Sequence, residues 1–81
     1  MIRDLSGMVH LRWRAAQLLL AVSEGHHEQA QALSRAAAIE GLDADDMRDE
    51  LRLLIRQFRH RALVVLREEI HRLASKLGVR S

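Results

Sequence analysis

The sequence contains no cysteine, no proline and no tyrosine, and only one phenylalanine and one tryptophan among its 81 residues. Without cysteine, neither a disulfide framework nor a thiolate zinc site can stiffen the chain, and the redox compartment leaves no trace. Without proline, and with only four glycines, little interrupts a helix. The scarcity of aromatics removes residues that favour strands and platforms on which unpaired bases stack. Long apolar runs are missing as well. The strongest, Leu18-Leu19-Leu20-Ala21-Val22, is far shorter than the ~20 residues a membrane span needs. The N-terminal stretch also lacks the charged-then-apolar order of a secretory leader. The expectation is a soluble, cytoplasmic protein with one helical domain over residues 1–81.

What is abundant agrees with helix. Fourteen leucines and eleven alanines are strong helix formers. A chain this short buries only ~60–65% of its unfolded surface. With disulfides excluded, oligomerisation or a metal is the usual supplement. The net charge of +2 is divided unevenly. Residues 1–47 carry four basic and seven acidic side chains, and residues 48–81 carry nine basic and four acidic. Such asymmetry suits an anionic partner, and equally head-to-tail or antiparallel self-association.

Periodicity and punctuation predict three helices, at about 3–23, 27–40 and 44–77. In the first, polar Arg3, Ser6, His10, Arg14 and Gln17 share one narrow face and apolar residues cover the remaining girth. A helix of that kind packs on several sides. In the second, Ala30, Leu33 and Ala37, with Ile39 at its end, make a shallow face suited to close helix approach. Gly25 and Gly41 stand where helix-ending glycines belong. The third has the clearest start: Asp43 as N-cap, Asp46 in capping-box position, and Leu42 with Met47 as a hydrophobic staple. Gly78 supplies its stop, and apolar spacing runs unbroken between these signals.

At ~1.5 Å rise per residue the third helix is a rod of ~50 Å, longer than either companion. A short helical hairpin packed on it leaves part of its stripe bare. The run Leu63-Val64-Val65-Leu66 faces all around the helix. Bare apolar surface marks an interface, so the predicted architecture is a homodimeric all-α bundle with paired third helices.

The stretch "LLLAVSEGHHEQAQALSRAAAIE" resembles one tetratricopeptide unit in its placement of Gly25, Ala30 and Ala37. The family's upstream aromatic, leucine and glycine positions are not matched in register, its downstream proline is replaced by Leu42, and no second repeat follows. The resemblance therefore implies a helical hairpin and no function of the family.

Chemistry-bearing patterns are sparse. Of two Glu-x-x-His spacings, Glu24–His27 is interrupted by Gly25 at a helix end and Glu68–His71 lies within a helix, as in di-iron carboxylate bundles, but the further bridging glutamates are missing. His60 and His71 lie ~16 Å apart along one helix, too far to share an ion within a chain. No metal, cofactor or catalytic residue is assigned, and no enzymatic activity is expected, because no nucleophile, base or phosphate loop is assembled. Arg48, Arg52, Arg56 and Arg59 form a ridge at helical spacing, which offers phosphate partners to nucleic acid as an alternative reading. The preferred reading is a protein-interaction module: an adaptor, small chaperone, regulator or inhibitor. Its partners are a second copy and an unidentified protein, not a membrane. The partner-binding residues predicted from the stripe are Phe58, Ala62, Val65, Leu66, Ile70 and Leu73. Trp13 is added as an anchor, with core packing as its simpler role.

Overall fold

The computed structural model describes the backbone of residues 5–79 and the side chains of residues 7–79. Four helices follow one another: α1 (Leu5–Ser23), α2 (His27–Ile39), α3 (Ala44–Phe58) and α4 (Leu63–Leu77). No strand occurs among the described residues. Arg3, where the first helix was expected to begin, lies outside them, as do the side chains of Leu5 and Ser6.

Helix α1 is the hub. Each of the other three packs on it, and these are the main interhelical contacts. The reason lies in its girth: Trp13, Ala15, Ala16 and Ala21 are buried, while Val9, Leu11, Leu18, Leu19 and Leu20 pack on the core from around the helix. A helix apolar on nearly every side is satisfied only when surrounded. Around it, α2 contributes Ala30 and Ala37, α3 contributes Met47 and Leu54, and α4 contributes Leu66, Leu73 and Ala74. Six of the eleven buried apolar residues among those described are alanines, so the helices approach closely and the core is thin.

Three helix ends follow the glycines. At the end of α2, Gly41 has φ 83°, and the N–H groups of Leu42 and Gly41 donate to the carbonyls of Ala37 and Ala38. At the end of α4, Gly78 has φ 74°, and Val79 and Gly78 donate to Ala74 and Ser75. Both patterns are Schellman closures, which need a left-handed residue that glycine adopts without strain. The start of α3 matches expectation too. The Asp43 carboxylate accepts from the Asp45 N–H at 3.1 Å. Met47 is buried, and Leu42 packs against the same core.

The expected third helix is two helices. It stops at Phe58, and Arg59 to Ala62 turn the chain before α4 begins at Leu63. The Arg61 N–H donates to the Phe58 carbonyl at 3.1 Å, closing a tight last turn. Ala62 is extended (φ −66°, ψ 151°) and opens α4 without a side-chain cap. The physical reason is length. A continuous rod of ~50 Å would overhang a 19-residue α1 of ~28 Å. Broken in two, both halves lay their apolar stripes on α1, and the described residues occupy only 36 × 26 × 22 Å. Part of the stripe for which paired third helices were expected is thus covered within one chain, by α1.

Candidate functional site

The turn between α3 and α4 creates a corner, and the corner is where core side chains run out. Leu19 and Ser23 of α1, Ile55 and Phe58 of α3, Ala62 of the turn, and Leu63 and Leu66 of α4 line a groove of about 270 Å³, with Arg59 and Arg61 as its only charged lining. Ile55 is 48% exposed and Leu63 41%, and Val64 beside it is 57% exposed. These values matter because Leu54 and Leu66, one position from Ile55 and three from Leu63, are 0% and 2% exposed. The core therefore takes one side of each helix here and leaves the other bare.

The predicted partner-binding residues are redistributed by this packing. Trp13, Leu66 and Leu73 are buried in the chain's own core. They are not a face offered to a partner, because α4 lies on α1 and consumes that stripe. Phe58 and Ile70 are half-buried against the same core, and Val65 is half-buried. Ala62 is exposed. Trp13 also carries the Arg14 guanidinium over its ring at 4.3 Å, a cation–π contact suited to core packing rather than to an open anchor. Phe58, Ala62 and Leu66 meet again in the groove, joined by Ile55 and Leu63, which the predicted set omitted.

Apart from Arg35, exposed on α2, the described arginines fall into two groups. Those on α1 are engaged. Arg12 donates to Glu50 at 3.0 Å and to Gln57 at 2.5 Å, and Glu69 stands 3.9 Å away, so one guanidinium ties α1 to α3 and α4. Arg14 makes a two-pronged bond to Glu40, 2.8 and 2.6 Å, and His10 reaches the same carboxylate at 2.8 Å. Arg67 pairs with Glu24 and Arg72 with Glu69. The second group is the ridge. Arg48 is mostly exposed and only grazes Asp45 at 3.8 Å. Arg52, Arg56, Arg59 and also Arg61 are exposed. No carboxylate lies within ion-pair distance of these four among the described residues.

The groove meets the ridge at Arg59, which lines it together with Arg61, whereas Arg56 stands about 100° from Ile55 around α3. With about 100° of rotation per residue, Arg48, Arg52 and Arg59 fall within about 60° of Ile55 on α3, all on the side away from Phe58 and Leu51. From Leu51 to Arg67 the chain carries five arginines and no acid. The sequence spacing revealed the ridge. It did not reveal the groove, because Ile55 and Leu63 become neighbours only once the chain turns at Arg59–Ala62.

The engaged pairs yield a pH prediction. Hydrogen bonding from Arg14 holds the Glu40 carboxyl down at about 2, against 4.5 ordinarily, and His10 adds to the effect. A carboxylate whose folded pKa is depressed adds stability above its unfolded value and loses it as the pH falls through the folded one. Because 29% of the Glu40 side chain remains in solvent, screening limits the contribution to about 1 kcal/mol. Glu40→Gln is therefore expected to cost about that much at pH 7 in urea unfolding. The gap between variant and wild type should narrow below pH 4.5 and close near pH 2. A gap that persists unchanged at pH 2 would show that the Glu40 charge is not what Arg14 holds.

Among the described residues no group of three or more histidine or carboxylate side chains is arranged to hold a metal ion. No described helix is long and apolar enough to cross a membrane. Comparison with family models, curated proteins and solved structures finds no match.

Proposed function

We propose that the chain is a protein-interaction module whose binding surface is the groove at the α3–α4 corner, bordered by the free arginines. The observation that carries this reading is the exposure of Ile55 and Leu63 in a concave site bordered by arginines that have no acidic partner among the described residues. Apolar side chains lining a concavity gain by being covered, and half-burying two of them contributes about 2 kcal/mol. Arginine at the rim supplies two-pronged bonds to carboxylates or backbone carbonyls and sets the partner's orientation.

The module is tested by comparing proteins captured from a host extract by the wild type, by Ile55→Asp/Leu63→Asp, and by the charge-matched control Gln29→Asp/Ala32→Asp. Gln29 and Ala32 are exposed on α2. Substitutions at exposed positions leave stability within about 0.5 kcal/mol, and those at the half-exposed groove positions cost more without unfolding the chain, so circular dichroism should find both variants helical. A protein retained by wild type and control should bind the groove variant about 100-fold more weakly, since each Asp removes apolar burial and opposes closure with an unpaired charge. Equal retention by all three would place the site elsewhere.

A second reading has its own observation. The ridge Arg48, Arg52, Arg56 and Arg59 is exposed and almost free of acidic partners, which suits the phosphates of nucleic acid. The readings separate on the apolar residues. Phosphate binding would fall steeply with salt and with Arg52→Ala/Arg56→Ala, and would be indifferent to a neutral change such as Ile55→Ala.

A further inference from the structure

The acidic counterpart of the basic corner is on the same molecule, at the other end of α3. From Ile39 to Asp49 the chain carries Glu40, Asp43, Asp45, Asp46 and Asp49 against a single arginine, Arg48. Glu40 is held by Arg14, whereas the four aspartates are exposed. At this corner stands Ile39, the last residue of α2 and 86% exposed, the most exposed large apolar side chain among those described. An isoleucine in water, in a stretch that carries four exposed aspartates, is the chemical complement of an apolar groove lined by Arg59 and Arg61.

The two corners cannot meet within one molecule. They lie at opposite ends of the 15-residue α3, ~21 Å apart along a rigid helix. We infer that the groove of one copy receives Ile39 of a second copy, with that copy's Asp43, Asp45 and Asp46 facing Arg59 and Arg61 across the contact. The inference rests on the reading of the groove as a binding surface and names what occupies it when no other protein does. A groove of about 270 Å³ falls below the roughly 300 Å³ at which pockets begin to enclose a drug-sized molecule, and it is suited to an inserted side chain. Its concavity and free arginines favour an apolar knob set among acids over a flat surface.

Such a contact joins two different patches, so it is head-to-tail. The pair still offers one free knob and one free groove, one on each copy, and association continues past the dimer instead of closing as a twofold pair. One side chain and a few ion pairs fall well short of the ~1,200 Å² that stable interfaces bury. The association is accordingly weak, at micromolar Kd or above, and sensitive to salt. A protein partner entering the groove displaces the neighbouring copy, so that binding and self-association compete.

The test uses the full chain in sedimentation velocity over a wide concentration range. Wild type is expected to rise in mass beyond the dimer, with association roughly tenfold weaker at 1 M salt, where screening acts within ~3 Å. Ile39→Asp keeps its groove and loses its knob, whereas Ile55→Asp/Leu63→Asp keeps its knob and loses its groove. Each alone should stay monomeric, and the two mixed should form a one-to-one dimer that grows no further. Circular dichroism confirms that both variants fold. A wild type that stays monomeric throughout, a plateau at a dimer, or mixed variants that ignore each other would each overturn the inference. If the wild type is monomeric while groove substitution still abolishes capture of a host protein, self-association fails and the interaction module stands. If groove substitution changes neither, both fail.

Discussion

Leu54→Ala is expected to lower the free energy of unfolding by about 3 kcal/mol, within the range for a leucine removed from a site that cannot collapse. Leu54 is wholly buried in α3, in a core where more than half the buried apolar residues are alanines with no side chain to lean into the void. Domains of this size hold only about 5–10 kcal/mol in total, so one substitution removes a large share. Ile55→Ala, at the next residue, removes a side chain about half exposed and should cost less than about 1 kcal/mol. Urea denaturation of the two variants measures the contrast. Equal losses at Leu54 and Ile55 would mean that α3 does not present Leu54 to α1.

Ala16→Leu should be the second large effect, costing about 2 kcal/mol by overpacking. Ala15 and Ala16 have no exposed surface on a helix that three others contact. The added side chain must push at least one neighbour away, and close-packed interiors transmit such strain instead of absorbing it. The same change at Ala32, exposed on α2, adds a good helix former in open space and should leave stability within about 0.5 kcal/mol. Thermal unfolding of the pair distinguishes an α1 enclosed on several sides from one with a free face. If both variants are equally stable, α1 has a free face.

The boundaries that were legible in the sequence share a cause. Gly25, Gly41 and Gly78 all adopt positive φ, and Asp43 caps α3 with its carboxylate. At each of these places one residue type solves a local backbone problem, so its identity marks the boundary. The turn at Arg59–Ala62 has no such marker. No glycine or proline stands there, Ala62 offers no cap, and the apolar spacing runs through it. The spacing survives because α3 and α4 both bury their stripes on α1. Periodicity reports that each turn of helix has a core face, and says nothing of whether two successive segments are collinear. The excess length of the expected rod over α1 was readable, but the break that folds its second half back onto α1 was not.

The candidate site shows the same division. The arginine ridge depends only on spacing within one helix, so it was visible at once. Leu66 and Leu73 looked available for a partner only while α4 was taken as the far end of a rod, whereas core packing was already the simpler role of Trp13. With α4 folded onto α1 they are core. Ile55 and Leu63, separated by the turn, become opposite lips of a groove. Which side of the Leu54–Ile55 pair faces inward was open in the sequence, and the position of α1 decides it.

The fold-back of α4 onto α1 underlies both the groove and the reassignment of the stripe. Spin labels at Asp49→Cys and Lys76→Cys measure it directly, and the absence of native cysteine makes the labelling unambiguous. Both positions are exposed, and Glu50 and Lys76 line a common cavity. An electron–electron distance of about 20 Å or less is the predicted result, half or less of the ~40 Å separating these positions on one continuous helix. A distribution centred near ~40 Å would restore the unbroken rod and dissolve the corner on which the binding surface is built.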